Sequence, residues 1–141
     1  MKYFQITIIT LLVVGLSACA SSPQTRDQPK GIAAYKGDAR LGEQVKKICF
    51  NRSIDGFYNA TRDTVVLTKG VAEDYIVEVR GICRNLATAK SIAVDSTLSC
   101  VTRGDALIVS TSAFSLDDGT GVGPDRCYIE KMYRWNKDLG Q

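Results

Sequence analysis

The stretch Thr64-Val65-Val66-Leu67-Thr68-Lys69-Gly70-Val71-Ala72-Glu73-Asp74-Tyr75-Ile76-Val77-Glu78-Val79-Arg80 decides the fold. Its first five residues are β-branched or apolar, the types that fit a pleated, half-buried surface. Residues 69–74 combine Gly with charged side chains and read as a turn. The chain then alternates: Tyr75, Val77 and Val79 fall on one side, and Glu78 and Arg80 on the other. Two such runs joined by a turn predict an antiparallel hairpin.

Downstream, residues 84–90 suggest a helical turn, and residues 91–95 and 98–102 read as two short strands broken at Ser96-Thr97. Arg103-Gly104-Asp105 is a turn into the strand Ala106-Leu107-Ile108-Val109-Ser110. Residues 117–125 hold three Gly and a Pro, as a loop does. Residues 126–135 form the last strand, with Cys127, Ile129 and Met132 alternating imperfectly against Glu130 and Arg134. Upstream, Leu41, Val45 and Ile48 recur at helical spacing and predict one short helix over residues 39–48, although Gly42 opposes it. The whole reads as a mainly β domain, a small antiparallel sheet or barrel, over residues 39–141.

The N-terminus has a different character. Lys2 precedes an apolar run from Ile6 to Leu16, too short for the twenty or so residues of a transmembrane span. The shape is that of a secretory signal over residues 1–18. It ends Leu16-Ser17-Ala18-Cys19, which looks like the lipobox of bacterial lipoproteins. That resemblance implies a diacylglycerol on the Cys19 sulfur and cleavage before Cys19. The rival reading is an ordinary signal with a chance Cys. Ala20 after the Cys, rather than Asp, implies sorting to the outer membrane, facing the periplasm. Residues 19–38 are polar at first, with Pro23 and Pro29, and read as a lipidated N-terminus and flexible tether.

Charge excludes some partners. Lys2 leaves with the signal, so 18 Lys and Arg become 17 against 15 Asp and Glu, a formal +2. The charges are interspersed, as on a solvated surface, and nothing marks a nucleic-acid footprint. The sequence contains no His. That removes Ser-His and Cys-His nucleophile pairs and imidazole metal ligands, and leaves Asp, Glu, Lys or Tyr for any catalysis.

Lipid on Cys19 leaves Cys49, Cys83, Cys100 and Cys127, an even set that reads as two disulfides in an oxidising compartment. Their separations of 34, 17 and 27 lack the close pairs of a zinc site. Three connectivities are open. Cys83–Cys100 would close a short loop, and Cys49–Cys127 would tie the start of the domain to its last strand. We favour that arrangement, for which the chain-entropy model gives roughly 3 and 4.5 kcal/mol.

Asp117, Asp118 and Asp125 offer oxygen ligands of the kind Ca²⁺ takes, against the plainer reading of a hairpin loop. No other cofactor is suggested. Asp55-Gly56 and Glu73-Asp74 read as solvated turns, and Tyr128, Tyr133 and Trp135 place aromatics on both sides of the last strand.

The ordered motifs also carry a family resemblance. They are Cys49-Phe50 with Ile54, the strand 64–67, Tyr75-Ile76-Val77-Glu78-Val79, Gly81-Ile82-Cys83-Arg84-Asn85-Leu86, Leu98-Ser99-Cys100, Gly104-Asp105-Ala106-Leu107-Ile108-Val109 and Cys127-Tyr128-Ile129. Over residues 45–135 the chain resembles the bacterial lipoprotein family of unknown function DUF6491. The resemblance implies export, disulfides and a small β domain, and it carries over no catalytic residue. The expected role is a non-enzymatic envelope protein that binds or scaffolds a protein partner and touches the membrane through its lipid. The alternatives are an inhibitor of an envelope-active enzyme such as a lysozyme, and an enzyme using carboxylates.

Overall fold

The structure, a computed structural model, describes residues 28–112 and 123–140. The fold is mainly β. The strands are β1 (Leu41–Val45), β2 (Lys47–Cys49), β3 (Ile54–Tyr58), β4 (Thr64–Lys69), β5 (Glu73–Val79), β6 (Ser91–Asp95), β7 (Cys100–Thr102), β8 (Ala106–Ser110) and β9 (Asp125–Trp135). The hairpin is β4–β5, with Val65 opposite Val77 and Leu67 opposite Tyr75. Its ladder runs on to Lys69 opposite Glu73. Glu73 and Asp74 therefore belong to β5 rather than to the turn, which tightens to residues 70–72 with Gly70 at φ +60°.

Antiparallel pairing gives the path β3-β4-β5-β9-β8-β6, a nearly closed barrel. β9 is the spine. β5 lies along one of its edges, while β8 pairs its first residues and β1 pairs Met132–Trp135 along the other. A two-stranded piece, β2–β7, sits beside this sheet. The imperfect alternation of β9 has a structural cause. Glu78 faces Lys131 but Val79 faces Ile129, so Glu130 is an extra residue, a bulge. A one-residue slip exchanges the two faces of a strand. Beyond the bulge the inward position passes to Met132, and Lys131 is spared burial.

β4 buries both faces. Val65 and Leu67 point into the barrel with Tyr75, Val77, Val79, Leu107, Val109, Ile129 and Met132. Val66 points outward, yet it is buried with Ile76 and Trp135 under Ile32. The cover is a 3-10 turn, Gly31–Tyr35. This packed turn falls inside the segment expected to be tether. Gly31 N–H donates to Asp63 Oδ2 at 2.8 Å and Ile32 N–H to Glu78 Oε2 at 3.2 Å. Gly31 holds φ +62°, where a Cβ would sit 2.6 Å from the Glu78 carboxylate. A single turn has no period to read, so its two apolar anchors look like part of a linker.

The expected helix over 39–48 is instead β1 and β2. A bulge between Leu41 and Gln44 moves Leu41 to the outer core and Val45 to the inner one. The resulting spacing imitates a helix. Gly42 serves the close approach of β1 to β9, since a Cβ there would lie 3.2 Å from the Arg134 carbonyl. The helical turn expected over 84–90 is a 3-10 turn, Leu86–Thr88, with Leu86 buried.

Cys49, Cys83, Cys100 and Cys127 all form disulfides, but the favoured pairing is wrong. The bonds are Cys49–Cys100 and Cys83–Cys127. The β2–β7 ladder sets Cys49 directly opposite Cys100. Cys83 turns inward after β5, its N–H held by the Arg62 carbonyl at 2.9 Å, and meets Cys127 in the inner core. Loop length favours short closures only when pairing geometry is ignored. Here the strand register decides.

Candidate functional site

β3 and β6 end the strand path, and among the described residues each is paired on one side only. They face one another across a cleft of about 550 Å³, a volume within the usual range for ligand pockets. Ile54 and Phe57 supply one wall, Ile92 and Val94 the other, and the buried Leu67 the floor. The same wall residues pack partly against the inner core, so the apolar lining is continuous with it. Arg52, Asp55 and Lys90 also line the cleft. Among the described residues, neither Arg52 nor Lys90 is in an ion pair.

The sequence hides β3, because Asp55-Gly56 reads as a turn. The structure places both in a strand whose register shifts between Ile54 and Gly56. Phe57 and Tyr58, both β-formers, were the available signal.

A second cavity of about 480 Å³ shares Asn51 and Arg52 with the first and extends to Phe50 and Leu98. Phe50 is 70 % exposed and Leu98 69 %. Phe50 also holds left-handed backbone, φ 61° and ψ 57°. For a bulky residue this costs on the order of 1–3 kcal/mol and needs external support. Support comes from both sides. The Cys49–Cys100 bond fixes the preceding residue. Asn51 N–H donates to Ser99 O at 3.0 Å, and Asn51 Nδ2 to Leu98 O at 3.1 Å.

Asp74 is the other site-like group. It lies on the outer face of β5, only 6 % exposed. Its Oδ2 accepts from Tyr58 Oη at 2.8 Å and faces Lys137 Nζ at 3.6 Å. Its Oδ1 has no hydrogen-bond partner among the described residues. Burial, and then the bond to Asp74, push the Tyr58 phenol up to about 12. Glu73 points the opposite way, accepting from Lys69 Nζ and Tyr75 Oη, and these bonds hold it below the usual carboxylate range. The adjacent carboxylates thus diverge, as side chains on successive strand residues must, and cannot share a proton. Glu130, the bulge residue, bridges Arg80 and Arg103 and is lowered chiefly by the Arg80 bond.

Cys19, Asp117 and Asp118 lie outside the described residues. Asp125 opens β9, and its Oδ2 accepts from Asn85 N–H at 3.0 Å. Among the described residues no three His, Cys, Asp or Glu gather as a metal site. The aromatics of β9 divide: Trp135 is buried beside Tyr35, Tyr133 packs against the same outer core, and Tyr128 is exposed.

No curated protein and no solved structure matches the chain. A family model described as a family of unknown function matches residues 2–139. The chain belongs to that family, DUF6491.

Proposed function

We propose that this chain is a lipid-anchored, periplasm-facing envelope protein that works by binding, and that the cleft between β3 and β6 is its binding surface. The open seam carries this reading. It is the place where an otherwise almost closed barrel leaves apolar core side chains lining a cavity of ligand size. Lipid at Cys19, export through residues 1–18 and sorting to the outer membrane belong to the same proposal and rest on the sequence: the lipobox, the charged-then-apolar signal before it and Ala20 after it.

A photo-crosslinking amino acid at Ala93, exposed in the cleft wall, tests the binding surface in living cells. The control position is Val71, 98 % exposed at the hairpin tip. Distinct adducts at position 93 that are absent at position 71 are the expected result. The same pattern at both positions would sink the reading. Cys19→Ser should release the protein from membranes, and unchanged membrane retention would remove the lipid anchor.

A second reading, an inhibitor of an envelope enzyme, is favoured by Phe50, an exposed aromatic held rigidly beside Leu98. Rigid aromatics make effective anchors at interfaces. Inhibition of a lysozyme at micromolar protein, lost in Phe50→Ala, would support it. The formal +2 disfavours a cationic target.

A further inference from the structure

Among the described residues, the two walls of the cleft are also the two open edges of the sheet. We propose that the cleft is a strand-addition site. It takes an extended polypeptide segment with alternating apolar side chains and an acidic residue, whose main chain pairs along β6. This rests on the reading of the cleft as the binding surface and names what the cleft accepts.

The edges argue for a polypeptide. An unpaired strand edge presents a row of N–H and C=O groups. Another main chain satisfies both kinds. An acyl chain in the same slot would strip water from them and return no hydrogen bond, which is costly. β6 is the better edge. All five of its residues pair with β8 in unbroken register, whereas β3 is bulged. Ile92 and Val94 line the slot with Ala93 between them, so an added strand meets apolar surface at every second position.

Shape and charge agree. Five strand residues span about 16 Å. The slot then continues past Asn51 and Arg52 toward Phe50 and Leu98, which suits a long occupant rather than a round one. Among the described residues, Arg52 and Lys90 have no ion pair and Asp55 is the one carboxylate in the lining. The excess is basic, and a complementary segment carries acid.

The test is a selection of displayed random peptides of about eight residues on the oxidised, purified domain. Enriched peptides should alternate apolar with polar residues and include Asp or Glu. Bound peptide should slow hydrogen exchange of residues 91–95 and leave β5 unchanged. N-methylation of alternate peptide amides, in one of the two phases, should weaken binding about tenfold, as loss of main-chain hydrogen bonds requires. Lys90→Glu should weaken it about threefold while leaving the unfolding curve unchanged.

Binders that tolerate N-methylation in both phases, or protect other amides, would overturn the proposal. So would a selection that yields no binder, or a dimer of this chain that alone protects residues 91–95. A fluorescent fatty acid titrated in parallel separates the two levels. If it binds, and Ile92→Gln weakens it, while no peptide does, strand addition fails and the cleft survives as a binding surface. If neither binds, both fail.

Discussion

The inner and outer cores lie on opposite faces of the same strands, and they are built by different rules. Inside the barrel, Val65, Leu67, Tyr75, Val77 and Ile129 meet across paired strands, and the Cys83–Cys127 bond closes the packing. Outside, Val66, Ile76 and Trp135 are covered by a short segment that belongs to no sheet. The inner core is held by strand pairing distributed over the whole chain. The outer core depends on a few contacts: two backbone N–H bonds to Asp63 and Glu78, the edge-on Tyr35–Trp135 pair at 5.4 Å and Arg40 stacked 4.7 Å over the Trp135 ring. The difference teaches that burial on both faces of a strand need not mean equal stability on both. A cover held by so few bonds is the kind of unit that opens locally.

Four changes press on that comparison. Replacing Cys83 and Cys127 together by Ala should cost the most, about 4 kcal/mol on the chain-entropy model for a loop of that length. Urea unfolding measures it, and a loss below about 1 kcal/mol would show that this bond does not hold the inner core. Non-reducing peptide mapping should meanwhile recover Cys49 joined to Cys100. Leu67→Ala comes next, about 3 kcal/mol, since it opens a cavity in the inner core at the cleft floor.

Ile32→Ala, on the outer side, should cost about 2 kcal/mol, at the lower end for a buried aliphatic, because the thin cover can settle into the space. If it cost as much as Leu67→Ala, the two cores would be one cooperative unit. Hydrogen exchange offers an independent view: in Ile32→Ala the amides near residues 31–35 should lose protection before those of β5 do.

Tyr58→Phe should be the mildest, about 1.5 kcal/mol, by removing one hydrogen bond to the buried Asp74 carboxylate, whose Oδ2 still faces Lys137. It also predicts a pH dependence. The folded state holds the Tyr58 phenol near 12, above its ordinary 10, so folding favours the protonated form. The stability this contributes is fully present below pH 10 and is lost as pH rises from 10 to about 12. Ultraviolet titration of the phenolates should show a late step near pH 12 that vanishes in Tyr58→Phe, while Tyr75, which burial also raises, keeps its own late step. An unchanged high-pH limb would separate Tyr58 from the outer core.

Much of the inner core was legible beforehand. Tyr75, Val77 and Val79 announce their shared face by period two, and β8 was legible with both its ends. Regions where one regular pattern passes into another were not legible. Leu41 and Val45 sit four apart on opposite faces because a bulge intervenes, and i,i+4 spacing then reads as helix. Ile54 to Tyr58 escaped notice because Asp-Gly in a bulged strand has the composition of a turn. The cleft was invisible for a simpler reason. It is the gap between strands 33 positions apart in the chain, Ser91 and Tyr58, and no local pattern encodes a gap.

The sequence by itself determined the class of fold, the hairpin at its centre and the commitment of four cysteines to disulfides. Each follows from local chemistry: alternation, turn residues and four cysteines within residues 39–141 that lack the close pairs of a metal site. The tertiary structure decided which cysteine meets which, which face of Val66 is covered and where the barrel stays open. Those are outcomes of register and closure, set by strands far apart in sequence once three bulges have fixed which way their side chains point.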